Sequence, residues 1–331
     1  MKKQLSRLLL GGTLILLAAC AGKPKLTVNL PEKFEGQEVE IINFLDSTKI
    51  ASGTVTNGNL QLEVDVDQPV FASVMIDGRT RAFYVIEPGN ATVNDSTSSA
   101  IGTPLNDRFA GLISTLDSIE NLDDMPLYID YVEKNYNDNK DNALGSYFGI
   151  EWLKYADIEK ADSMLKTAPE ALKTSPKTEH YIKFARLREA TSPGKQYIDF
   201  DGETADGKPQ AFSSLVKPGV YTLVDFWASW CPYCVKELPE LASLHEKWNG
   251  KGLEIVGVAV RDTPDDTKGA VNKHGISWQV LYNTQRKPYE IYGFSGIPHH
   301  ILIGPDGKIV SRGETVAQIN TRLEKELLKQ E

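Results

Sequence analysis

Hydrophobic and polar residues alternate along much of the first third of the chain. Between Leu60 and Val66 every second residue is apolar, as in a strand with one buried face. Similar segments, rich in β-branched and aromatic residues, are separated by turn pairs such as Asn57-Gly58. The predicted strands cover residues 39–45, 60–66, 70–76 and 81–86. This pattern predicts a small antiparallel β domain over residues 26–95.

The spacing of apolar residues changes after the polar segment Ser96–Ala100, which we interpret as a hinge. From Phe109 to Leu116 apolar residues recur every three to four positions, as in a helix that buries one face. Similar spacing continues over the following segments. We therefore predict a helical region at residues 96–190, followed by a linker at Thr191–Gly194.

Strand and helix patterns alternate from Lys195 to the end of the chain, which predicts an α/β domain over residues 195–331. Val220–Trp227 and Leu253–Val260 are nearly continuous apolar runs, typical of strands covered on both faces. The other predicted elements are helices at 235–248, 265–274 and 315–329 and strands at 278–282, 299–303 and 308–311.

The first 19 residues have the form of a secretory signal: a basic start followed by the apolar run Leu8–Ala19. As a helix this run would rise only about 18 Å, whereas a bilayer core is about 30 Å thick. A transmembrane anchor is the alternative that this length disfavours.

The apolar run ends in Leu17-Ala18-Ala19-Cys20, which resembles the bacterial lipobox. The resemblance implies a signal peptide at 1–19, lipidation of Cys20 and a lipidated linker at 20–25. The lipid would anchor the protein to a membrane facing an oxidising space. Ala21 stands where an aspartate can signal inner-membrane retention, which favours the outer membrane.

Composition and charge narrow the function classes. Hydrophobic residues make up 41% of the 331 residues, as in an ordinary globular protein, and the formal charge of −9 disfavours a nucleic-acid partner. Three cysteines are too few for a disulfide-stapled scaffold and one short of a four-cysteine zinc site. We expect neither a metal nor an organic cofactor.

Cys231 and Cys234 form a Cys-x-x-Cys motif between an apolar strand and a helix. This spacing brings both sulfurs onto one helical turn, within disulfide distance. The helix N-terminus places partial positive charge beside Cys231, which favours its thiolate and makes it the attacking sulfur. Cys234 can then resolve a mixed disulfide.

Three other interpretations of the pair compete with redox catalysis. A structural disulfide across one turn would close almost no loop and so stabilise little. A zinc site would need a second cysteine pair or histidines at ligand spacing. An inert reduced pair would not persist in an oxidising compartment without a dedicated donor. Redox catalysis therefore remains the leading interpretation.

Several segments around the motif match those of thioredoxins. They are Asp225–Ala228 before Trp230-Cys231, the helix proline Pro239, Tyr292–Pro298 with the position of the family's cis-proline, and the closing hairpin at Leu302–Lys308. Residues 195–331 thus resemble the thioredoxin fold, and within it the TlpA/ResA-like branch of membrane-tethered thiol–disulfide oxidoreductases. The preceding β domain resembles, in pattern and position, the small N-terminal β domains of Bacteroidetes lipoproteins.

The resemblance implies a role for two carboxylates beside the cysteines. Asp225 would be buried beneath the pair and take the proton from Cys234 during resolution. Glu237 occupies the place of a helix glutamate of the ResA-like branch and would share or replace that role, unless it is simply a solvated helix residue. His245, His274, His299 and His300 lie at no motif distance from Cys231, so we predict surface or packing roles for them.

The resemblance also implies a substrate-binding surface. Pro298, as a cis-proline, would lie against the sulfurs and leave the Ile297 backbone free to pair with an extended substrate. Trp230 would shield the sulfurs and shape the docking surface together with Pro232 and Tyr233, the two residues between the cysteines.

These features predict a periplasm-facing lipoprotein that reduces disulfides in client proteins with electrons from a membrane donor. Ile297 before Pro298, as in reducing thioredoxins, favours reduction over oxidation. Cytochrome c maturation is a typical role in this branch. One alternative is a peroxiredoxin-like thiol peroxidase, although Ala228 stands where that class needs a threonine. The other is a binding lipoprotein in which residues 26–190 carry the main function.

Overall fold

The computed structural model describes residues 23–122 and 124–327 and divides the chain into two compact units, residues 1–148 and 149–331. The predicted signal peptide and Cys20 lie outside the described residues. No helix within the described ranges is long and apolar enough to cross a membrane. The division falls inside a helix, Leu144–Leu153, within the region that the sequence pattern assigns to helices. The domain boundaries drawn from the sequence remain predictions.

The first unit is built on two small sheets. Its strands are β1 (Lys25–Asn29), β2 (Glu38–Asn43), β3 (Lys49–Thr54), β4 (Asn59–Glu63), β5 (Val70–Ile76), β6 (Arg79–Ile86) and β7 (Asn90–Asn94). One sheet has the order β4-β1-β7 and the other β3-β2-β5-β6. Alternating apolar side chains from both sheets form one core, so the period-two pattern of the sequence corresponds to one buried face on each sheet.

Two observations in this unit correct predictions made from the sequence, namely the antiparallel β domain and the hinge that follows it. The sheets are not wholly antiparallel, because β1 pairs with β7 in parallel, with Lys25 opposite Asn90. No hairpin joins these two strands, so no tight turn imposes an antiparallel pairing on them. The expected hinge is fixed in place, since the Phe83 N–H donates to the Ser98 carbonyl and the Ala100 N–H to the Phe83 carbonyl, both at 2.8 Å.

Helices α1 (Pro104–Glu120) and α2 (Met125–Asn139) complete the first unit, together with the start of α3 (Leu144–Leu153). The buried Glu87 holds the N-terminus of α1. Its Oε1 accepts hydrogen bonds from the Thr103 hydroxyl at 2.6 Å and from the backbone N–H groups of Leu105 and Asn106 at 2.7 and 3.2 Å. These bonds satisfy donors that a helix start leaves without partners.

The second unit begins with short helices: the end of α3, then α4 (Ile158–Thr167), α5 (Glu170–Lys173) and α6 (Pro176–Ala190). The segment after α6, expected to be a linker, starts with the fully buried Thr191. Its hydroxyl accepts a hydrogen bond from Arg312 at 2.6 Å. The Arg312 guanidinium also donates to the Tyr292 carbonyl at 2.7 Å, so it ties Thr191 to the body of the unit.

A seven-stranded sheet forms the body of the second unit, in the order β14-β13-β10-β11-β12-β8-β9. The strands are β8 (Asp201–Glu203), β9 (Pro209–Ala211), β10 (Tyr221–Trp227), β11 (Leu253–Val260), β12 (Gln279–Gln285), β13 (His299–Ile303) and β14 (Ile309–Arg312). The helices of this region are α7 (Pro232–Trp248), α8 (Pro264–His274), α9 (Lys287–Tyr292) and α10 (Val316–Leu327).

Strands β10, β11 and β12 are parallel, and β13 runs antiparallel to β10. Every residue of β10 is buried, as its continuous apolar run predicts for a central strand with both faces covered. The carboxyl end of β10 therefore leads directly from the core to the start of α7, where the two cysteines lie.

Candidate active site

The two cysteines form a disulfide at the start of α7, with their Cα atoms 5.3 Å apart. Cys231 is the N-cap residue of this helix, and Pro232 occupies its first turn, where a missing N–H does no harm. The backbone N–H of Cys234 points at the Cys231 sulfur, with a nitrogen–sulfur distance of 3.2 Å. In the reduced protein this donor and the helix dipole would stabilise a thiolate on Cys231 rather than on Cys234.

The loop before Cys231 is fixed by a buried carboxylate. Asp262 follows β11 and accepts hydrogen bonds from the Ser229 backbone N–H at 2.7 Å and from the Ser229 hydroxyl at 3.0 Å. It also accepts from the Thr267 hydroxyl at 3.1 Å. Because these bonds join the loop after β10 to the start of α8, they fix the backbone that leads into Cys231. Asp262 belongs to no motif of the sequence and was not predicted as a site residue.

The cis-proline expected from the family resemblance lies against the disulfide. The Ile297–Pro298 peptide bond is cis, and the Ile297 carbonyl oxygen is 3.7 Å from the Cys231 sulfur. Both residues are only partly buried. The Ile297 backbone thus borders the sulfur that an incoming disulfide must approach.

Exposed aromatic side chains surround the nearly buried sulfurs. Trp230 is 51% exposed and Tyr233 is 72% exposed, whereas Cys231 is 3% exposed. The Trp230 indole N–H donates to the Arg261 carbonyl at 2.9 Å, so the ring is held in place although it faces solvent. Large apolar side chains that remain exposed at a reactive centre are typical of a docking surface.

An ionisable cluster lies below the motif, formed by Asp225, Glu237 and His300. The His300 Nε2 atom is 3.5 Å from the Asp225 Oδ1 atom and 3.6 Å from the Glu237 Oε2 atom. Asp225 and His300 are directly opposite each other on β10 and β13, and both are nearly fully buried. Glu237 approaches from α7, three residues after Cys234 and so on the same side of the helix. We call these residues the acid–histidine cluster.

The hydrogen bonds of His300 define its protonation. Its Nδ1 is 3.0 Å from the Glu314 carbonyl oxygen, which can only accept, so Nδ1 carries a proton. Burial lowers the pKa of His300, but the negative charges of Asp225 and Glu237 and the hydrogen bond to the Glu314 carbonyl outweigh this and raise it overall. The second proton on Nε2 is therefore favoured, which places an imidazolium between two carboxylates.

Glu237 has the opposite balance of influences. Burial raises the pKa of its carboxyl group, the His300 charge lowers it, and the charges of Asp225 and Glu240 raise it again, with a net rise. A raised pKa makes the Glu237 carboxylate a better acceptor for a proton from a neighbouring group. Glu237 is half-buried, so it is not simply a solvated helix residue.

His300 corrects the sequence-based prediction of a surface or packing role. Its position opposite Asp225 follows from the pairing of β13 with β10, which the order of elements along the chain does not reveal. Its neighbour His299 does pack: the ring stacks on Phe294 at 4.7 Å, and burial lowers its pKa to about 3. The alternation of the two histidines on a strand was the available signal, because only one of them can face the cysteine side.

The described parts of the chain contain no group of three His, Cys, Asp or Glu residues that could hold a metal ion. The site brings together both cysteines, the Ile297–Pro298 bond, the exposed aromatic residues and three ionisable side chains. This arrangement can exchange a disulfide and move a proton.

Comparison with known proteins agrees with this chemistry. The AhpC/TSA family model matches residues 193–312. The thiol-disulfide oxidoreductase ResA of Bacillus subtilis is 32% identical over 123 residues, covering 37% of this chain and 68% of that protein. ResA of Bacillus thuringiensis is 32% identical over 132 residues, covering 40% and 75%. The thioredoxin domain of a thiol-disulfide oxidoreductase from Bacteroides vulgatus is 28% identical, with a TM-score of 0.38, covering 41% of this chain and 98% of that domain.

The second unit therefore carries a thioredoxin fold, and the protein is a thiol–disulfide oxidoreductase, as its resemblance to known motifs implied. The sequence-based fold class is confirmed: a thioredoxin-like domain at the C-terminus, preceded by a β-rich region and helices. Within this class the chain belongs to the TlpA/ResA family.

Proposed function

We propose that this oxidoreductase reduces disulfides in client proteins while anchored by a lipid in the periplasm. The observation that carries the proposal is the geometry at Cys231. Its sulfur receives the Cys234 N–H at 3.2 Å, lies 3.7 Å from the Ile297 carbonyl oxygen and is surrounded by exposed aromatic side chains. Such a site is suited to an extended polypeptide that brings a disulfide to one sulfur.

The cycle exchanges one disulfide for another. In the reduced protein the Cys231 thiolate attacks a client disulfide, forms a mixed disulfide and releases one client thiolate. Cys234 then loses its proton and attacks the Cys231 sulfur, which breaks the mixed disulfide and releases the second client thiolate. The client gains two electrons and the protein ends with the Cys231–Cys234 disulfide seen in the structure.

Resolution requires a proton acceptor for Cys234, and we assign this role to Asp225 and Glu237. Glu237 follows Cys234 by three residues on α7, and Asp225 lies two residues before the end of the buried strand that leads to the motif. The charge of His300 lowers the pKa of Glu237, because an opposite charge favours the ionised form of a carboxylate. His300 therefore acts as a positioning residue that favours the ionised, proton-accepting form of Glu237.

The direction and the location of the reaction rest on sequence features. Ile297 before Pro298, as in reducing thioredoxins, supports reduction, and a membrane electron donor would re-reduce the disulfide. The lipobox-like end of residues 1–19 supports a lipid anchor at Cys20 and a place in the cell envelope, at the outer rather than the inner membrane. Cytochrome c maturation is one process that such a reductase would serve.

A thiol peroxidase is the less favoured alternative. That activity would need a threonine three residues before the reactive cysteine, and Ala228 occupies this position as a fully buried residue. The assay that separates the two activities is consumption of hydrogen peroxide by the reduced protein, which we expect to be negligible beside its reduction of protein disulfides.

The test of the proposed function is to trap the mixed disulfide. A Cys234→Ser variant can attack but not resolve, so it should accumulate covalent complexes with envelope proteins that are visible on non-reducing gels. A Cys231→Ser variant is the matched control and should form none, because the attacking sulfur is missing. Recovery of no complexes from Cys234→Ser, or of equal amounts from both variants, would refute client reduction through Cys231.

A further inference from the structure

A small cleft beside the active site has no part in the mechanism described above. It has a volume of about 160 Å³ and lies in the second unit, between α6, the loop after β11 and the segments on either side of α9. Its lining residues are His180, Tyr181, Phe184, Arg261, Arg286, Tyr289 and Ser295. We call it the Arg261 cleft.

The Arg261 cleft is directly next to the docking surface around the cysteines. The Arg261 guanidinium carbon lies 5.1 Å from the centre of the Trp230 ring, and Trp230 immediately precedes Cys231. On the other side of the cleft, Ser295 is two residues before Ile297, whose carbonyl borders the Cys231 sulfur. A polypeptide with its disulfide at Cys231 therefore passes close to the cleft.

Two uncompensated positive charges face this cleft. Within residues 23–122 and 124–327, neither Arg261 nor Arg286 forms an ion pair, and none of the residues lining the cleft carries a carboxylate. Both arginines are exposed, so their guanidinium groups can be reached by a ligand. The chain as a whole carries a formal charge of −9, so this concentration of positive charge is a local exception.

Arg261 is held in place before any ligand arrives. Its backbone has a φ of 49°, in the left-handed region, and its N–H donates to the Gln285 carbonyl at 3.1 Å. The guanidinium lies between two aromatic rings, 5.1 Å from the centre of Trp230 and 5.0 Å from that of Tyr289. An arginine fixed in this way loses little freedom on binding, which favours affinity for a matching group.

The volume of the cleft and the chemistry of its lining side chains together define the class of ligand. Pockets for cofactors and drug-sized molecules start at about 300 Å³, so this cleft fits one side chain rather than a free organic ligand. The planar donors of arginine match a carboxylate, and the aromatic walls offer an apolar surface to the neighbouring residue. Burial and the nearby Lys183 and Arg286 charges lower the pKa of His180, so its neutral ring adds a hydrogen-bonding group without a further charge.

We propose that the Arg261 cleft binds an acidic side chain of the client polypeptide, next to an aromatic or aliphatic residue, while the client disulfide lies against Cys231. This inference rests on the proposed function, because it assigns a sequence preference to the clients of the same site. It predicts a reductase that selects disulfides with an acidic residue nearby over disulfides with neutral or basic surroundings.

Binding of two synthetic peptides tests the proposal without relying on catalysis. Both carry serine in place of cysteine and an amidated C-terminus; one contains a Glu-Phe pair and the other a Gln-Phe pair. Fluorescence anisotropy with the oxidised protein should show about tenfold tighter binding of the Glu peptide, which is typical of a charged hydrogen bond. A third peptide, with Gln-Phe and a free C-terminus, separates a side-chain carboxylate from a terminal one.

Arg286→Gln is the diagnostic variant, because Arg286 lines the cleft but takes no part in the thiol chemistry. It should remove the preference for the Glu peptide. Arg186→Gln is the matched control, an exposed arginine on α6 that does not line the cleft, and it should leave the preference intact. Equal binding of both peptides to the unmodified protein, or equal losses in the two variants, would overturn the proposal.

Turnover of a small neutral disulfide, hydroxyethyl disulfide, distinguishes a failure of the cleft proposal from a failure of the proposed reductase function. The reduced protein and its Arg286→Gln variant should reduce it at the same rate, while the variant loses about tenfold in kcat/KM on a disulfide peptide with Glu-Phe. If neither disulfide is reduced but the peptide preference holds, the cleft stands and the reductase function fails. If both disulfides are reduced but the Glu peptide is not preferred, the reductase function stands and the cleft proposal fails.

Discussion

Buried carboxylates occur in both units of the protein, but their surroundings differ. Glu87 in the first unit accepts three hydrogen bonds from neutral donors at the start of α1. Asp225 and Glu237 in the second unit face His300 at 3.5 and 3.6 Å, and neither Glu237 Oε2 nor His300 Nε2 makes a hydrogen bond to any residue described by the structure. A carboxylate that accepts several hydrogen bonds from fixed donors anchors a fold, whereas one without such bonds remains available to exchange a proton.

The largest effect expected from this comparison concerns Asp225. We predict that Asp225→Asn slows resolution of the mixed disulfide by about 100-fold at neutral pH, because an amide cannot accept the Cys234 proton. Stopped-flow measurement of a fluorescent client peptide would give this rate. Glu87→Gln is the matched control, since it makes the same chemical change in the other unit, and its rate should equal that of the unmodified protein. Equal slowing by both changes would contradict the contrast.

A smaller effect, on stability rather than rate, is expected at Glu87. We predict that Glu87→Ala lowers the free energy of unfolding of the first unit by about 2 kcal/mol, because buried donors at the start of α1 lose their acceptor. All five tryptophans lie in residues 149–331, so their fluorescence reports the second unit alone, while circular dichroism reports both units. In urea, the circular dichroism transition of the variant should move ahead of the fluorescence transition.

The same urea unfolding measurement on a Glu237→Gln variant tests the opposite expectation, that this carboxylate does not stabilise the fold. This carboxylate has a raised pKa in the folded protein, so its ionised form opposes folding above its ordinary pKa. The amide should therefore leave the stability of the second unit unchanged or slightly higher at neutral pH. A loss comparable to that of Glu87→Ala would show that Glu237 has a structural role instead.

The smallest and most specific effect is a change in pH dependence. In a His300→Gln variant the positive charge that lowers the pKa of Glu237 is absent, so this pKa should rise further. The acceptor would then be protonated at higher pH, and the acid limb of the resolution rate should shift to higher pH, while the rates converge in alkaline solution. His274→Gln, at an exposed histidine on α8, is the control and should leave the profile unchanged. A uniform loss at every pH would indicate a purely structural role for His300.

Local sequence patterns were sufficient to predict the strands that consist of long apolar runs. The strands Leu253–Val260 and His299–Ile303 have the predicted bounds, because long apolar runs between turn residues allow few alternatives. The three-residue strands β8 and β9 and the six-residue helix α9 were not predicted. Such short elements are stabilised mainly by tertiary contacts, which local periodicity does not carry.

The residues of the candidate site also fall into two groups, those that the local sequence predicts and those that depend on tertiary contacts. The Cys-x-x-Cys motif and the Ile297–Pro298 position are visible as sequence, since each is a short segment with its own signature. The place of His300 depends on which strands are neighbours in the sheet, and that of Arg261 depends on a left-handed turn beside Trp230. Both positions arise from long-range packing. The alternation of His299 and His300 along a strand indicates that only one of them faces the cysteine side, but it does not show that Asp225 lies opposite His300.

The register of β13 against β10 also has a consequence for the order of events during synthesis. The cysteines are translated early in the thioredoxin-like domain, and 66 residues separate Cys231 from Ile297. A nascent chain that ends between them would carry both thiols but lack β13 and, with it, the histidine opposite Asp225. In the proposed mechanism the thiols therefore exist before the groups that direct their chemistry, and we expect full reactivity only once the last hairpin has joined the sheet.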